Sequence, residues 1–219
     1  MDKIKVDLIA GTRPNFVKIA ALYSAFDKNV EYNRKICLRL IHTGQHYSSN
    51  MSESFFSQLG IPEPDYNFEI GSGTHAKQTG SIMFQYEQLL AKEKADLCVV
   101  VGDVNSTMAC ALAAKKMSVD VAHIEAGIRS GDKNMPEEIN RIVTDSISDY
   151  FFTTTELASK NLIDIGADKE KIFFVGNTMI DTLLCNMKKF QPPIFFKETQ
   201  IASKEYFVVT IHRPSNADN

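Results

Sequence analysis

The feature of this sequence that most constrains its fold is a repeated unit of a short apolar run, a polar or glycine-containing turn, and a segment with helical spacing. Most of the apolar runs lack polar alternation, which is typical of strands covered on both faces. Neighbouring parallel strands need a crossover connection, and a helix usually provides it. The pattern therefore predicts an α/β protein with a Rossmann-like, doubly wound parallel sheet.

The apolar runs and the helical segments divide the chain into alternating elements. Pro136 followed by two glutamates suits the first turn of a helix. The missing proline N–H costs no hydrogen bond there, and carboxylates interact favourably with the helix dipole. Helices are predicted to begin near Pro14, Asn50, Lys77, Asn105, Pro136, Thr155 and Thr178. The predicted strands are Lys5 to Ala10, Lys35 to His42, Asp96 to Val101, Asp120 to Ile124, Tyr150 to Thr153, Lys171 to Val175 and Tyr206 to Ile211.

The domain organisation follows from the place where the first sheet ends. That sheet is predicted to finish near Val175, which gives a Rossmann-like domain over residues 1–177. The remaining residues, 178–219, are predicted to form a connecting helix and the start of a second, truncated α/β domain. We therefore expect the chain to be the N-terminal part of a larger fold.

Composition and charge narrow the class of protein. The 24 Lys and Arg residues against 27 Asp and Glu residues give a net charge of −3, without the basic block that nucleic-acid binding needs. No apolar stretch is long enough for a membrane span, and the first residues do not resemble a signal peptide. The four cysteines are dispersed, so neither disulfides nor a metal site is expected. We expect a soluble, cytoplasmic protein without nucleic-acid or membrane partners.

Ligands of open α/β sheets bind beyond the carboxyl ends of the strands, so the residues after each apolar run are candidate site residues. The first run is followed by a glycine turn into a helix that carries Arg13 and Lys18. A helix N-terminus with two nearby cations suits an anion such as a phosphate. Both cations could equally be solvated on a surface turn. The turn has no GxGxxG pattern, so a dinucleotide site is not expected.

Two acidic residues follow neighbouring predicted strands. Asp103 comes after the run that ends at Val101, where it could also be a helix N-cap or turn residue. Glu125 ends the next strand, and a carboxylate at the end of a buried strand must be paired or face a cleft.

Three further candidates have an ordinary structural explanation beside the functional one. Glu137 could serve only as a partner of the helix dipole, with Arg141, one turn later, as its ion-pair partner. His212 precedes Arg213 at the end of the last predicted strand, where a lone histidine is usually a satisfied polar residue. The joint occurrence of these side chains at strand ends indicates one site.

Six motifs in this order carry a family resemblance: GTRPNFVKIA, TGQHYSSNM, VVVGDVNSTMACALAA, HIEAGIRSGDKNMPEEINR, FFVGNTMIDTLL and TIHRPSN. Together they resemble the non-hydrolysing UDP-N-acetylglucosamine 2-epimerases, from the first predicted strand to the last residues. The resemblance implies the N-terminal half of a two-domain, glycosyltransferase-B type fold, in which the C-terminal domain holds most of the nucleotide. The 219 residues by themselves are then expected to be inactive.

The same resemblance implies a reaction. The family interconverts UDP-N-acetylglucosamine and UDP-N-acetylmannosamine at C2, without a cofactor. The C2 hydrogen is not next to a carbonyl, so direct carbanion formation would be very costly. By resemblance, UDP is eliminated from C1 and C2 in the anti sense to give 2-acetamidoglucal, and is added back after protonation of the opposite face. This route requires a base, an acid and cations that face the diphosphate.

Site roles are implied residue by residue. Asp103 and Glu137 match residues of proton transfer, and Glu125 matches a carboxylate that stabilises the sugar cation. His212 matches the family's catalytic histidine, which we place with Arg13 and Lys18 on the diphosphate side. Arg141 and Arg213 are expected among the substrate-binding residues. Gln45 and His46 match a loop that binds a second, activating UDP-N-acetylglucosamine in bacterial members, although Tyr47 stands where many members carry arginine.

The resemblance also implies a homodimer through the N-terminal domain and a role in bacterial surface polysaccharide synthesis. Four alternatives remain. A hydrolysing epimerase is disfavoured, because its family has a GlyGly strand end where this chain has Glu125-Ala126-Gly127 and a GDR-like turn where it has Gly102-Asp103-Val104. An epimerase of UDP-2,3-diacetamido-2,3-dideoxyglucuronate shares the motifs. A glycosyltransferase of the same architecture and a nucleotide-sugar sensor that binds without turnover belong to other classes.

Overall fold

The computed structural model of the chain describes residues 3–44, 56–199 and 205–210. In this part of the chain the strands form one seven-stranded sheet with the order β3-β2-β1-β4-β5-β6-β7, and every neighbouring pair is parallel. The strands are β1 (Ile4–Ala10), β2 (Ile36–His42), β3 (Tyr66–Asn67), β4 (Leu97–Val101), β5 (Asp120–Ile124), β6 (Tyr150–Thr153) and β7 (Ile172–Phe174). The predicted doubly wound α/β fold is therefore confirmed.

Helices connect the strands as crossovers. They are α1 (Arg13–Asp27), α2 (Val30–Lys35), α3 (His75–Lys92), α4 (Asn105–Lys116), α5 (Pro136–Ile147), α6 (Glu156–Asp164), α7 (Thr178–Asn186) and α8 (Phe195–Thr199). Residues 56–59 are also helical, and short 3-10 turns span Lys169–Lys171 and Met187–Lys189. The helix predicted to begin near Asn50 has its start outside the described residues.

Three of the described helices and strands were not predicted from the sequence, and all are short: β3, α2 and α8. The two-residue β3 pairs with β2 at the edge of the sheet and is too brief to show a periodic pattern. Helix α2 has no buried residue, so it carries no apolar stripe. Its start is instead marked by Asn29, whose side chain accepts hydrogen bonds from the backbone N–H groups of Glu31 and Tyr32. Local capping, rather than burial, defines this helix.

The strand predicted at Tyr206–Ile211 is wrong over the residues that the structure describes. Residues 206–210 are not in a strand, and the side chains of Phe207, Val208 and Val209 are 97%, 82% and 75% exposed. An apolar run becomes a strand only where a neighbouring strand offers hydrogen-bond partners and a packed face. The described residues contain no such partner for this run.

Both faces of the central strands are buried. Ile9 of β1 belongs to a core cluster with Ile82 and Tyr86 of α3 and Ala113 of α4. The adjacent Leu8 faces the opposite side, in a cluster with residues of α1. This second face is less completely covered, because apolar side chains of β2, β4 and β6 line an open groove of about 910 Å³ beside α1 and α7.

A buried ion pair joins β1 and β2 inside the sheet. Asp7 and Arg39 are register partners on these strands. Arg39 donates to both Asp7 carboxylate oxygens at 2.6 and 2.9 Å, and the Tyr86 hydroxyl donates to Asp7 Oδ2 at 3.0 Å. Burial raises the pKa of Asp7, while Arg39 and Tyr86 oppose that effect. The pair is thus fully hydrogen-bonded in a position where an unpaired charge would be very costly.

The strand order places a topological switch point between β1 and β4. From β1 the chain moves outward through β2 and β3, then returns to the other side of β1 and continues from β4 to β7. Connections that leave the adjacent β1 and β4 in opposite directions open a crevice at their carboxyl ends. A ligand site is therefore expected among the residues that follow β1, β4 and β5.

The chain divides into two compact units, Met1–Cys185 and Asn186–Asn219. The first unit contains the whole sheet and most of α7. That the second unit begins a further nucleotide-binding domain, as expected for residues 178–219, stays a prediction. Among the described residues, no helix combines the length and apolar character that a membrane span requires.

Candidate active site

The turn after β1 is fastened to the end of β4 by a buried asparagine. Asn15 Oδ1 accepts hydrogen bonds from the backbone N–H groups of Gly11 and Thr12, at 3.1 and 3.0 Å. Its side-chain amide donates to the carbonyl of Val101 at 3.0 Å. Because one side chain holds both strand ends, the start of α1 is fixed beside the turn that follows β4.

Lys18 of α1 and Glu125, which follows β5, form an ion pair across this crevice. Their side chains are only 12% and 10% exposed, so neither is a solvated surface group. Glu125 has a φ of 66°, a left-handed conformation that is uncommon for residues other than glycine. The carboxylate after β5 is therefore paired, as the sequence required.

Gly102 lies directly against this ion pair. It has a φ of +70°, and a Cβ atom placed on it would lie 2.9 Å from Lys18 Nζ and 3.5 Å from Glu125 Oε2. Glycine is the residue that adopts this conformation without steric cost. The turn after β4 thus needs glycine both for its backbone and for the room that Lys18 occupies.

Asp103 is paired with Arg141 of α5, and Arg141 also donates to Glu138 Oε2 at 2.9 Å. The N-cap of α4 is Val104, so the alternative that Asp103 caps this helix is wrong. The Asp103 side chain keeps 26% of its surface exposed, more than Arg141 at 14% or Glu138 at 3%. Asp103 is therefore the member of this group that a ligand in the crevice could reach.

Glu138 anchors the loop before α5. Its carboxylate accepts hydrogen bonds from the backbone N–H groups of Ser130 and Gly131, at 2.9 and 3.3 Å. Burial alone would raise the pKa of Glu138, but these hydrogen bonds and the one from Arg141 lower that pKa below its usual value. Glu138 thus remains ionised and holds the Arg141 guanidinium next to Asp103.

Glu137 does not have the partner that its spacing suggested. The alternative that it pairs with Arg141 is wrong, because Arg141 instead contacts Glu138 and Asp103. Glu137 is partly exposed on the first turn of α5, and no described side chain forms an ion pair with it. The carboxylate is consequently available to a ligand.

Of the remaining predicted site residues, Arg13 lies within the described part of the chain. Arg13 is exposed as the first residue of α1, five residues before Lys18 on the same helix. Gln45, His46, His212 and Arg213 lie outside the described residues. Their predicted roles stay predictions.

Several residues of this region were missed from the sequence, and most lie on α5. This helix buries Glu138, Asn140, Thr144 and Asp145, whereas Ile139 and Ile142 are 50% and 39% exposed. The isoleucines, three residues apart, indicate the wrong buried face. The signal that could have found the correct face is the i, i+3 and i+7 spacing of Glu138, Arg141 and Asp145 near the predicted acids.

A second missed group surrounds His123, which sits inside β5 with a fully buried side chain. Its Nδ1 lies 2.7 Å from Asp145 Oδ1, and its Nε2 lies 2.8 Å from the carbonyl oxygen of Gly102, which can only accept a hydrogen bond. Asp145 Oδ2 also accepts from Arg129 at 2.6 Å and from the Gly127 backbone N–H at 3.1 Å. This network lies directly behind the turns that carry Asp103 and Glu125.

The assembled crevice offers acid–base and anion-binding chemistry. Asp103 and Glu125 stand at neighbouring strand ends, each beside a cation, and Glu137 lies on the first turn of α5, whose Arg141 and Asn140 hold Asp103. Within residues 3–44, 56–199 and 205–210, no group of three His, Cys, Asp or Glu side chains is placed to hold a metal ion. The described donors suit an anionic organic ligand and proton transfer.

Comparisons of this chain with known proteins agree on one family. The sequence model of the UDP-N-acetylglucosamine 2-epimerase family matches residues 28–219. The chain is similar to a UDP-N-acetylglucosamine 2-epimerase of Methanocaldococcus jannaschii, with 46% identity over 99% of this chain. It is also similar, at 43% identity over 99% of the chain, to a UDP-2,3-diacetamido-2,3-dideoxy-D-glucuronate 2-epimerase of Pseudomonas aeruginosa. The chain spans 58% and 59% of the length of these two relatives.

Solved structures agree with the sequence comparison. The crystal structure of the Methanocaldococcus jannaschii enzyme in complex with UDP-GlcNAc and UDP matches 99% of this chain and 59% of its own, with a TM-score of 0.87. The Neisseria meningitidis UDP-GlcNAc 2-epimerase bound to UDP-GlcNAc is 30% identical and matches 90% of this chain and 52% of its own, with a TM-score of 0.79. Both structures contain the fold described above.

Proposed function

Because the chain belongs to the UDP-N-acetylglucosamine 2-epimerase family, we propose that it forms the catalytic N-terminal half of a non-hydrolysing UDP-N-acetylglucosamine 2-epimerase. The single observation that carries the proposal is the pairing of two carboxylates with two cations at adjacent strand ends, Asp103 with Arg141 and Glu125 with Lys18. The UDP-GlcNAc bound by similar solved structures supports the substrate class.

In the proposed reaction, a base removes the C2 proton while the C1–O bond to the diphosphate breaks. The electron pair of the C–H bond forms the C1–C2 double bond of 2-acetamidoglucal, and UDP leaves with the electrons of the C1–O bond. A proton is then delivered to the other face of C2, and a diphosphate oxygen attacks C1. The sugar returns to the UDP ester with inverted C2, so atoms and electrons balance without a cofactor.

The geometry supports a division of roles. Asp103 and Glu137 are the carboxylates with exposed surface, and we assign them to proton transfer on the two faces of C2. Glu125, held by Lys18, is assigned to the developing positive charge at C1. Lys18, Arg13 and His212 are assigned to the leaving diphosphate, and Arg141 and Arg213 to substrate binding.

The second candidate substrate is a UDP-diacetamido-uronate, and the similar Pseudomonas aeruginosa epimerase is the specific observation that favours it. The same crevice would perform the same elimination and re-addition, since both sugars carry an acetamido group at C2. The homodimer, the activating second UDP-N-acetylglucosamine at Gln45 and His46, the cytoplasmic location and the role in surface polysaccharide synthesis stay predictions.

The test is proton NMR in D2O with two forms of the protein. One is the 219-residue chain; the other, the extended chain, continues after Asn219 with the part of the Methanocaldococcus jannaschii relative that this chain does not span. We expect the extended chain to incorporate deuterium at C2 of UDP-N-acetylglucosamine as UDP-N-acetylmannosamine accumulates. We expect the 219-residue chain by itself to be inactive, because it spans only 58% of the length of that relative.

The alternatives give different spectra. Free N-acetylmannosamine would indicate a hydrolysing enzyme, and exchange only with the diacetamido-uronate would change the substrate and keep the mechanism.

Asp103→Asn and Glu137→Gln should each abolish C2 exchange. The matched controls are Asp120→Asn, at the exposed amino end of β5, and Glu156→Gln, on the exposed first turn of α6; both should remain active. Full activity in the first two variants would contradict the site assignment.

A further inference from the structure

Each ring nitrogen of His123 faces an oxygen atom. Nδ1 lies 2.7 Å from an Asp145 carboxylate oxygen, and Nε2 lies 2.8 Å from the Gly102 carbonyl oxygen. A carbonyl oxygen can only accept a hydrogen bond, so Nε2 must carry a proton to bond to it. The geometry therefore points to an Nε2–H that donates to the Gly102 carbonyl.

Asp145 fixes the other side of the ring. Arg129 and the Gly127 backbone N–H donate to its second oxygen, at 2.6 and 3.1 Å. Burial alone would raise the pKa of Asp145, but His123 and Arg129 lower it below its usual value. Both Asp145 oxygens are thus hydrogen-bonded, and the carboxylate holds the His123 ring in place.

The carbonyl that His123 holds belongs to the peptide between Gly102 and Asp103. The next carbonyl, that of Asp103 itself, accepts a hydrogen bond from Asn140 at 2.8 Å, and the Asp103 carboxylate is held by Arg141. The backbone on both sides of Asp103 is therefore held by buried side chains of β5 and α5. Rotation of this peptide would turn the carboxylate away from the crevice.

The same histidine connects a second turn. Through Asp145 it is joined to the backbone N–H of Gly127, two residues after Glu125. One buried ring thus lies between the turn that presents Asp103 and the loop that presents Glu125. Neither His123 nor Asp145 has any exposed side-chain surface, so neither can touch a substrate.

We propose that His123 is a positioning residue for the proposed epimerisation: it fixes the Gly102–Asp103 peptide and so aims the Asp103 carboxylate, while Asp145 ties the ring to the Glu125–Gly127 loop. The proposal rests on the proposed function for its catalytic consequence only. Its structural content, a ring whose Nε2–H holds the Gly102 carbonyl, is independent of the substrate.

Two substitutions separate the two hydrogen bonds of the ring. In His123→Gln the side-chain amide nitrogen takes the place of Nε2 and can still donate to the Gly102 carbonyl. In His123→Asn the amide nitrogen takes the place of Nδ1 and keeps the bond to Asp145 only. Both variants replace the ring with a smaller amide side chain at the same buried position, so each is the matched control of the other.

The kinetic test measures kcat and KM for C2 epimerisation by the extended chain. We expect kcat of His123→Asn to fall by about 100-fold with little change in KM, because a displacement of the order of 1 Å at a catalytic group costs about that much. His123→Gln should stay within about 10-fold of the unsubstituted chain. Equal losses in the two variants, or a larger loss in His123→Gln, would overturn the positioning role.

The second measurement does not depend on activity, and its first part needs no variant. Nitrogen-15 NMR of the unsubstituted 219-residue chain should show His123 Nε2 protonated; a bare Nε2 would overturn the proposed hydrogen bond to the Gly102 carbonyl. The carbonyl carbon of Gly102 and the amide of Asp103 should shift in His123→Asn and stay close to their original positions in His123→Gln. If the extended chain shows no epimerisation, the proposed function fails, while these resonances still decide whether His123 holds the Asp103 turn.

Discussion

At the scale of single residues, Gly102 shows how tightly backbone and side chains are adjusted around the crevice. Its left-handed φ turns the chain from β4 toward Asp103, and the space above its Cα is filled by Lys18. Lys18 in turn pairs with Glu125. Because Gly102 has no side chain, the segments that follow β1, β4 and β5 can approach one another.

A comparison of two glycine substitutions tests this arrangement. Gly102→Ala and Gly71→Ala introduce the same methyl group at φ angles of +70° and +71°, but only at Gly71 is the space for it open. We expect both to lower the free energy of unfolding by about 1–2 kcal/mol through left-handed strain, measured by urea denaturation. Only Gly102→Ala should also reduce epimerisation by the extended chain, by about 10-fold or more, because it displaces Lys18. Equal rates for the two variants would show that the position of Lys18 does not matter.

At the scale of elements, α5 links the site to the sheet through buried polar side chains. Its buried residues hold Arg141, the Asp103 carbonyl and His123, whereas Ile139 and Ile142 are exposed. A buried polar face is stable only when its groups are hydrogen-bonded, and those of Glu138, Asn140 and Asp145 are. The helix thus organises the site, while Ile147 at its end packs against the apolar core.

Glu138 makes the stability contribution of α5 depend on pH. Because its pKa is lowered in the folded chain, the contribution is present above the usual glutamate pKa and is lost as pH falls through the folded value. We expect Glu138→Gln to lower the free energy of unfolding at neutral pH by about 1–3 kcal/mol, the typical value for hydrogen bonds to a charged group. The difference from the unsubstituted chain should shrink as pH falls below about 4.

Urea denaturation of the 219-residue chain at several pH values measures this effect. Glu137→Gln is the control on the same helical turn, since the described structure gives Glu137 no ion-pair partner. Its difference from the unsubstituted chain should be smaller at neutral pH. A constant difference for Glu138→Gln across the whole pH range would contradict the stabilising role of the ionised carboxylate.

At the scale of the whole molecule, the parallel sheet sets both the place of the site and the order of local stability. The inner strands β1, β4 and β5 are paired on both sides, whereas β3 and β7 are the two edges. β1 and β4 are far apart in sequence, so their pairing closes a long loop of chain. The crevice between them exists only when this pairing has formed.

Amide hydrogen exchange tests this order of stability. We expect the amides of Leu8–Ala10 and Val99–Val101 to exchange most slowly, because they open only when the sheet unfolds as a whole. The strand amides of β3 and β7 should exchange fastest, through local opening at the edges. Mass spectrometry of peptides over a time course provides the measurement. Slower exchange in β7 than in β4 would contradict the sheet order.

Local pattern was sufficient for much of this architecture. Runs such as Leu97–Val101 lack polar alternation because both faces of the sheet are covered, and that burial is visible in the residues themselves. The acids at strand ends were recognisable for a similar reason: Asp103 and Glu125 directly follow buried runs, where a charge needs a partner or a cleft. The family motifs added the substrate class to this picture.

The sequence by itself determined the parallel α/β class, the positions of six strands and the candidate acids, because these depend on burial and turn chemistry within a few neighbouring residues. Only the tertiary structure decided which partners these residues have. It paired Arg141 with Asp103 and Glu138 instead of Glu137, turned the polar face of α5 inward, and placed His123 behind Asp103. It also left residues 206–210 without a strand. The pairing of Arg141 with Asp103 and the place of His123 depend on partners distant in sequence. A local pattern indicates that a group is buried but not which group it contacts.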